Sequence, residues 1–456
     1  NPNIMKKILI TLLFTIFFTQ IIGYAKTRNP MADLWADKEF QKEFTASYGT
    51  LAGFEPKLNE EERGRLRDLI NVIKSNPPKA IEKLIADIEN EKNAAFIFIL
   101  ANLYFQEGQI DEAEKYYKLA IEKYPIFRRA YKNLGLVNIQ ANDFKSAIIH
   151  LSKSMELGEV DGRAYGLLGY SYLTEENYYP AEAAYRQAIL MQPEITDWKL
   201  GLARCLLEMG NYSDAVSTIE TLIQEDPNNT DYWILQSNAY LGLDNTLKAV
   251  RNLEIVKRMG KADLLTLSLI GDIYMNNEMP DLALIAYLEA AELADNDDLD
   301  TLLKSAEALT LTVNFSQAEQ MIQKIRENFS QSIDDESDLE LLTYEAKIAR
   351  ANGKDQLAAN LLSKIIERDL LNGEAIIELA KYYADQGKLA EAFTRFEQAQ
   401  KIRKYERSAL VAHAQVLVNQ KSYDEALPLL NRALRLQSDR NLKDFTDRVE
   451  RAARKQ

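Results

Sequence analysis

The strongest constraint on this chain is a repeat of 34 residues, because a fixed period requires each stretch of sequence to build the same local structure. The repeat is clearest from the alanine that ends the segment Gly-Gln-Ile-Asp-Glu-Ala113. Equivalent alanines follow at 34-residue intervals at Ala147, Ala181, Ala215, Ala249 and Ala283. Two longer intervals lead to Ala318 and Ala358, and the interval of 34 returns at Ala392 and Ala426. Ten units therefore run from residue 94 to residue 440.

Each unit predicts two helices that pack closely against each other. Large residues recur at helical spacing in the first unit, at Leu100, Tyr104 and Tyr117. A proline, which cannot continue a helix, closes the first unit at Pro125. A small residue, which allows close approach of the helices, lies twelve positions before every aligned alanine: Ala101, Gly135, Gly169, Ala203, Ser237, Gly271, Ala306, Ala346, Ala380 and Ala414. The chain is therefore predicted to be all-α.

The pattern Leu-Gly/Ala-x-x-Tyr, then Ala-x-x-x-Tyr/Phe-x-x-Ala, then Pro resembles the tetratricopeptide repeat, and the resemblance covers about three quarters of the chain. It implies a right-handed α-solenoid, or superhelix, of about ten to eleven helix pairs, with a concave groove lined by the first helices. Residues 94–440 supply ten of these pairs, and residues 60–93 are interpreted as a degenerate eleventh. Residues 441–456 are predicted to form a helix that caps the C-terminal end.

The N-terminal sequence predicts export. Lys6 and Lys7, after a start at Met5, precede an apolar run over residues 8–22, and small residues precede a cleavage point after Ala25. Residues 1–25 therefore have the form of a signal peptide, which predicts a periplasmic protein of a Gram-negative bacterium. The alternative is an uncleaved leader anchored in the inner membrane. Residues 26–59 do not follow the repeat and are interpreted either as a leader helix and loop packed on the first pair or as an arm that docks a partner.

The sequence offers little that could support catalysis. The repeats leave no stretch for a separate catalytic domain, so the protein is predicted not to be an enzyme and to bind no cofactor or metal. His150 and His413 belong to distant units, and the only cysteine, Cys205, is expected to be a buried, inert thiol. The segment Asp295–Asp300 is interpreted as a solvated turn, with a calcium loop as the alternative. The acidic insertion Asp334–Asp338 is predicted to be a surface loop.

A cationic cluster is predicted on the groove side of the first helices. In the segment Phe127–Gly135, Arg129 and Lys132 fall opposite the residues that pack in the seam. Family resemblance places the equivalent positions of neighbouring units in one groove, whose predicted partner-binding residues are Phe98, Asn102, Phe105, Arg129, Lys132, Asn133, Arg163, Tyr170 and Arg204. Such a groove suits a protein or peptide with an acidic or carboxylate-bearing segment. The alternative is that the cations only solvate this face and offset acidic neighbours.

Some tetratricopeptide-repeat proteins hold a C-terminal carboxylate in a clamp of lysine, asparagine and arginine. Asn102, Asn133 and Arg163 match three positions of that clamp, whereas Phe98 replaces its lysine and Leu167 its arginine. A clamp of that specific composition is therefore not expected here.

The predicted function is a non-enzymatic periplasmic scaffold or adaptor that binds protein segments in its groove. The net charge of −14 disfavours a nucleic-acid partner, and no small-molecule substrate is expected. The leader, with Trp35, Phe40 and Tyr48, is similar to that of tetratricopeptide proteins encoded beside ExbB–ExbD–TonB systems, which implies an accessory role in envelope energy transduction or transport, within a membrane-protein complex. The alternatives are a chaperone or assembly factor for outer-membrane or secreted proteins, and an enzyme acting on envelope polymers.

Overall fold

The computed structural model describes residues 55–158 and 161–454, and all regular structure in these residues is helical. They form 23 α-helices and one short 3-10 turn, which confirms the predicted all-α fold of tandem helix pairs. The described residues divide into two compact units, which we call the unit Thr15–Lys261 and the unit Ala262–Gln456. The predicted signal peptide at residues 1–25 and most of the leader, residues 26–54, lie outside the described residues.

The unit Thr15–Lys261 is a row of helix pairs. Its described helices are α1 (Glu60–Ser75), α2 (Pro77–Ala86), α3 (Ala94–Gln106), α4 (Ile110–Lys123), α5 (Arg128–Gln140), α6 (Phe144–Glu156), α7 (Gly162–Thr174), α8 (Tyr178–Met191), α9 (Thr196–Glu208), α10 (Tyr212–Glu225), α11 (Thr230–Gly242) and α12 (Thr246–Arg258). Each odd-numbered helix packs on the even-numbered helix that follows it. The first helices also contact one another in order, α3 with α5, α5 with α7 and α7 with α9. These four helices therefore present one continuous face.

The small residues of the repeat mark the closest approach within each pair. A Cβ added to Gly169 of α7 would lie 2.9 Å from Cγ of Tyr185 in α8, and one added to Gly135 would lie 2.6 Å from Cγ of Leu151. Ser237 uses the same position to donate from Oγ to the carbonyl oxygen of the aligned Ala249 at 3.1 Å. The predicted close packing is thus present, and the large side chain four residues after the aligned alanine fills the space above the small residue.

The turn inside each pair has one backbone conformation. The residue five positions before the aligned alanine has positive φ in all ten repeats: Gly108, Asn142, Glu176, Gly210, Asp244, Glu278, Val313, Gly353, Gly387 and Lys421. At the first of these turns, the Gly108 amide donates to Phe105 O at 3.0 Å and the Gln109 amide to Tyr104 O at 2.9 Å. This left-handed residue ends the first helix and turns the chain into the second.

The unit Ala262–Gln456 continues the same type of pair. Its helices are α13 (Leu264–Asn276), α14 (Pro280–Leu293), α15 (Leu299–Leu311), α16 (Phe315–Asn328), α17 (Asp335–Ala351), α18 (Asp355–Arg368), α19 (Gly373–Asp385), α20 (Leu389–Gln400), α21 (Glu406–Asn419), α22 (Tyr423–Leu436) and α23 (Arg440–Ala453). The final helix packs on α22 and buries Leu442, Thr446 and Val449. The segment Asn296–Asp298 is a 3-10 turn capped by the side chain of Asp295.

The acidic insertion Asp334–Asp338 is not a surface loop as predicted, because every residue of it after the N-cap Asp334 is helical. Asp334 caps α17 by accepting from the Ser337 amide at 2.8 Å, and acidic residues in a first turn are favoured by the helix dipole. Asp338, in that first turn, accepts from Arg326 at 2.8 Å and from Arg368 at 2.5 Å. The insertion therefore extends α17 and joins it to the helices on either side.

Candidate functional site

The nine predicted groove residues lie on the four first helices that contact one another in the unit Thr15–Lys261. We call this surface the groove face. Its residues are Phe98, Asn102 and Phe105 on α3; Arg129, Lys132 and Asn133 on α5; Arg163 and Tyr170 on α7; and Arg204 on α9. Some are in direct contact, since the Arg129 guanidinium lies 5.2 Å from the Phe98 ring centroid and Asn133 donates to Asn102 at 2.9 Å.

Most of the groove face is shielded from solvent. Arg129 and Lys132 are each only 8% exposed, and Arg163 and Arg204 are half-buried. The remaining five residues are also buried: Phe98, Asn102, Phe105, Asn133 and Tyr170. A buried charge is costly unless it is paired, so the question at this face becomes which groups accompany these cations.

Arg129 is paired with a carboxylate of the same chain. Its Nε donates to Oε1 of Glu55 and its Nη2 donates to Oε2 at 2.7 Å, so the contact is bidentate. The Glu55 side chain has no exposed surface. Sequence reasoning missed Glu55, although a lone carboxylate between Phe54 and Pro56 is a signal of a charge in apolar surroundings. The guanidinium of Arg129 thus recognises a carboxylate with the geometry that arginine prefers.

Lys132 also forms an ion pair within the chain, with an aspartate at the start of the next first helix, α7. Its Nζ lies 3.1 Å from Oδ2 of Asp161, and the Oδ1 atom of the same aspartate accepts from the Arg163 amide at 3.0 Å. Asp161 is the N-cap of α7. One carboxylate therefore caps α7 and binds a cation of α5, which fixes the two helices relative to each other.

A buried amide pair lies beside Arg129. Asn102 Oδ1 accepts from the Tyr117 hydroxyl and from Nδ2 of Asn133. Within the described residues, the other amide atoms, Nδ2 of Asn102 and Oδ1 of Asn133, are buried without a hydrogen-bond partner. A buried donor and a buried acceptor without partners are costly, and together they match the C=O and N–H groups of a peptide.

The far end of the groove face combines aromatic and cationic groups. The ring of Tyr170 packs edge-on against Phe144 with centroids 5.6 Å apart. Burial lowers the pKa of the Arg204 guanidinium from its usual value, while Tyr185 and Asp231 act in the opposite direction. Gly201 leaves the space that the Tyr185 ring occupies, since an added Cβ would lie 2.5 Å from its Cε1.

An equivalent hydrogen-bonded pair occurs in the other compact unit. Asp272 of α13 holds the same repeat position as Asn102, eleven residues before the aligned alanine. It accepts from the Tyr287 hydroxyl of α14 at 2.6 Å, as Asn102 accepts from Tyr117. Burial raises the pKa of the Asp272 carboxyl to about 7, despite the Tyr287 hydrogen bond and nearby Lys304, which lower it.

The other residues that could have supported catalysis or metal binding pack in the protein interior. His413 is 8% exposed, stacks on the Phe396 ring at 5.2 Å, and lies 3.1 Å from Nε2 of Gln400. Cys205 is fully buried, and burial raises the pKa of its thiol to about 12. In the described part of the chain, no group of three or more His, Cys, Asp or Glu side chains is placed to hold a metal ion. Of the helices described, none is both long and apolar enough to cross a membrane.

Comparison with known proteins agrees with the helix pairs. A family model described as tetratricopeptide repeat matches residues 172–239, and a second with the same description matches residues 100–157 and 377–441. Among curated proteins, the chain is 29% identical over 99 residues to Superkiller protein 3 of Schizosaccharomyces pombe, covering 21% of this chain and 7% of that protein. It is 25% identical over 227 residues to BBSome complex member bbs-4 of Caenorhabditis elegans, covering 47% and 49%. The chain thus spans about half or less of the length of these relatives.

Among solved structures, the chain is similar to YrrB, a tetratricopeptide-repeat protein with an unusual peptide-binding site, at 23% identity. The match covers 41% of this chain and 96% of that one, with a TM-score of 0.39. Proteins of this repeat class use extended surfaces to bind other proteins or peptides. The 34-residue period, the helix pairs and the family matches together identify the chain as a tetratricopeptide-repeat protein.

Proposed function

We propose that this protein is a non-enzymatic scaffold that binds acidic segments of proteins or peptides at the groove face. The observation that carries the proposal is the bidentate contact of Arg129 with a buried carboxylate. The surroundings of Arg129 already compensate the desolvation of an ion pair, since the guanidinium also lies over the Phe98 ring. A partner carboxylate at this position would meet the same surroundings.

The amide pair extends the proposal from an acidic group to a peptide. Nδ2 of Asn102 offers a donor and Oδ1 of Asn133 an acceptor, and both atoms are buried. An extended segment could satisfy both atoms with its backbone while its acidic side chain or terminus binds Arg129 or Lys132. Backbone recognition of this kind is independent of sequence, so the cations would supply the selectivity.

We further propose that the scaffold acts in the periplasm, as an adaptor of a TonB-type energy-transduction or transport system and its membrane-protein complex. The sequence of residues 1–25 and the leader supports this location and pathway. The net charge of −14 supports protein partners over nucleic acid, and neither a cofactor nor a small-molecule substrate is required. The second candidate is a chaperone for outer-membrane or secreted proteins, which the apolar floor of Phe98 and Phe105 favours.

The scaffold proposal is tested by affinity capture from envelope extracts, with mass spectrometry of the captured proteins. The variant Lys132→Gln/Arg163→Gln neutralises two cations of the groove face. Losing a charged hydrogen bond costs about 1.5–3 kcal/mol, so the capture of true partners should fall about tenfold or more. The control, Lys145→Gln/Arg186→Gln, removes the same charge from exposed positions of α6 and α8 in the same two repeats.

Both variants are first compared with the parent protein by circular dichroism. Equal capture by the folded groove variant, its control and the parent protein would refute the proposal. A further assay separates the two candidate functions: a chaperone should suppress the aggregation of an unfolded outer-membrane protein, whereas an adaptor should bind only folded complexes or defined segments.

A further inference from the structure

The first helices of the unit Ala262–Gln456 carry carboxylates on the side that corresponds to the groove face. Helices α13, α15 and α17 contact one another in order. Asp272 of α13 and Glu307 of α15 each lie eleven residues before their aligned alanine, the position that Arg204 holds in the other unit. Glu340 of α17 lies eighteen residues before its aligned alanine. These three carboxyl groups are half-buried, and we call the surface that they form the acidic face.

One pair of repeat positions shows how the two units differ. In the unit Thr15–Lys261 these positions hold Arg204 and Asp231, and the Asp231 charge acts against the lowering of the Arg204 pKa by burial. In the other unit the same two positions hold Glu307 and Glu340. Burial, together with the charge of Glu340, raises the pKa of the Glu307 carboxyl. The positions that combine opposite charges in one unit therefore bring like charges together in the other.

No cation of the chain balances Glu307. Among the described residues, no lysine or arginine forms an ion pair with its carboxylate. Lys347 instead binds Glu374 at 3.1 Å, and the Lys304 side chain is exposed. The pKa of Glu307 is raised although both lysines lower it. A half-buried carboxylate without a partner is costly, and a cation from outside the chain would relieve that cost.

A buried hydroxyl beside Asp272 also points to a ligand at the acidic face. Ser268 precedes Asp272 by one turn of α13, so the two side chains lie on the same side of the helix. Ser268 is 1% exposed, and within the described residues its Oγ has no hydrogen-bond partner. The Oδ1 atom of Asp272 accepts from the uncharged Tyr287 hydroxyl. A ligand with several N–H donors could bind the Asp272 carboxylate and the Ser268 hydroxyl together, as the five donors of a guanidinium allow.

The spacing of the carboxylates requires more than one cationic group. Packed helices lie about 10 Å apart, so equivalent residues on α13 and α15 are separated by about that distance. Ligands of a single metal ion lie within about 2.6 Å of it, so Asp272 and Glu307 cannot share one ion. A polyproline II helix has three residues per turn and rises about 3.1 Å per residue, so every third residue lies on one side at intervals of about 9 Å. Basic side chains at that interval match the two carboxylates.

We propose that the acidic face binds a basic segment of a partner protein, with arginine at every third residue of an extended, polyproline-like chain. One guanidinium binds Asp272 and Ser268, and the next lies between Glu307 and Glu340. This partner is opposite in charge to the one proposed for the groove face and binds a different unit, so the inference does not depend on the function proposed above. The protein would then hold an acidic segment and a basic segment on separate repeats.

The test is fluorescence anisotropy of the full chain with a labelled peptide of four Arg-Pro-Pro triplets, at pH 8, above the pKa of about 7 of Asp272. The variant Asp272→Asn/Glu307→Gln loses two charged hydrogen-bond acceptors and should bind at least tenfold more weakly than the parent. The control, Glu292→Gln/Glu319→Gln, removes the same charge from exposed positions of α14 and α16 in the same two repeats and should bind like the parent. An equal loss in both variants, or in neither, would overturn the proposal, because attraction would then follow net charge alone.

Two competitors test the spacing and the source of the cation. A peptide of the same composition, with its four arginines consecutive and followed by eight prolines, should compete at least fivefold less well than the triplet peptide. Spermidine should also compete at least tenfold less well, because it cannot hold a guanidinium at both carboxylates. Equal competition by the rearranged peptide would refute the spacing on which the proposal depends. Equal competition by spermidine would assign the acidic face to free polyamines and overturn it.

A crosslinking measurement on the unaltered chain decides if the double variant does not fold, as circular dichroism would reveal. The triplet peptide carries a benzophenone group beside an arginine, and the crosslinked fragments are identified by mass spectrometry. We expect crosslinks to α13 and α15, and crosslinks confined to other helices would contradict the proposal. The two proposals fail separately, since capture of acidic segments without these crosslinks removes only the basic partner, and the reverse result removes only the scaffold function of the groove face.

Discussion

Asp272 is expected to make the unit Ala262–Gln456 less stable as the pH rises from about 4 to about 7. Burial raises the pKa of this carboxyl from 3.8 to about 7 in the folded chain. Between these values the unfolded chain releases a proton that the folded chain retains, so rising pH favours unfolding. Below about 4 both states are protonated and above about 7 both are ionised, so the dependence is confined to this window.

The size of this loss of stability follows from the shift in the pKa of Asp272. One pKa unit corresponds to about 1.4 kcal/mol, so the full shift of about three units would remove about 4 kcal/mol of unfolding free energy. The Asp272 residue keeps part of its surface in water, which screens the charged form, so we expect about 2 kcal/mol. Other acids of this unit whose pKa is raised by partial burial, such as Glu307, act in the same direction, so the effect must be measured as a difference between variants.

The assay is urea unfolding, followed by circular dichroism, of the parent chain and of Asp272→Asn at pH 4.5, 6, 7 and 8. Asparagine keeps an acceptor for the Tyr287 hydroxyl but cannot ionise. The variant should gain about 2 kcal/mol relative to the parent between pH 4.5 and 8, whereas Asp355→Asn, at an exposed site of the same unit, should show no change. The reasoning would be refuted if the difference in unfolding free energy between Asp272→Asn and the parent were independent of pH, or if the parent gained stability relative to the variant as the pH rises.

Three further predictions concern packing and reactivity. Gly201→Ala places a Cβ against the ring of Tyr185, which is fully buried, and should lower the free energy of unfolding in urea by about 1–3 kcal/mol. Gly64→Ala, on an open face of α1 with no atom within 4 Å, should instead stabilise by about 0.5–1 kcal/mol. The Cys205 thiol, buried and with its pKa raised to about 12, should react with iodoacetamide at pH 8 only after unfolding. Rapid modification of the native protein, seen by mass spectrometry, would contradict this.

The fold was predictable because its main determinant is periodic. The aligned alanines and the small residues before them fix which helix faces meet, and the contacts of Gly169 with Tyr185 follow from that register. The left-handed turn residue was not predictable, because it is glycine in only some repeats. At Glu176, Val313 and Lys421 the same conformation is imposed by the packing of the two helices rather than by the residue itself.

The groove face was predictable only in part, and for a related reason. The period predicts that the cations of α5 lie on the side away from the seam, but it says nothing about residues that do not repeat. Glu55 precedes the repeats and lies 74 residues from Arg129, while Asp161 belongs to a turn 29 residues from Lys132. Long-range ion pairs of this kind depend on the path of the chain, so the burial of the cations could not be derived from their helical register.

Two tyrosines of second helices, Tyr117 and Tyr287, couple the outward face of the first helix to the interior of their pair, and this limits how that face can be redesigned. Where Tyr117 or Tyr287 reaches through its pair, the facing position must keep an acceptor, here Asn102 or Asp272. Repeats with an aliphatic residue at that place, such as Ile219 opposite Arg204, impose no such requirement. New binding specificities should therefore be easiest to introduce at the aliphatic repeats by single substitutions, whereas the repeats of Tyr117 and Tyr287 require coordinated changes on both helices.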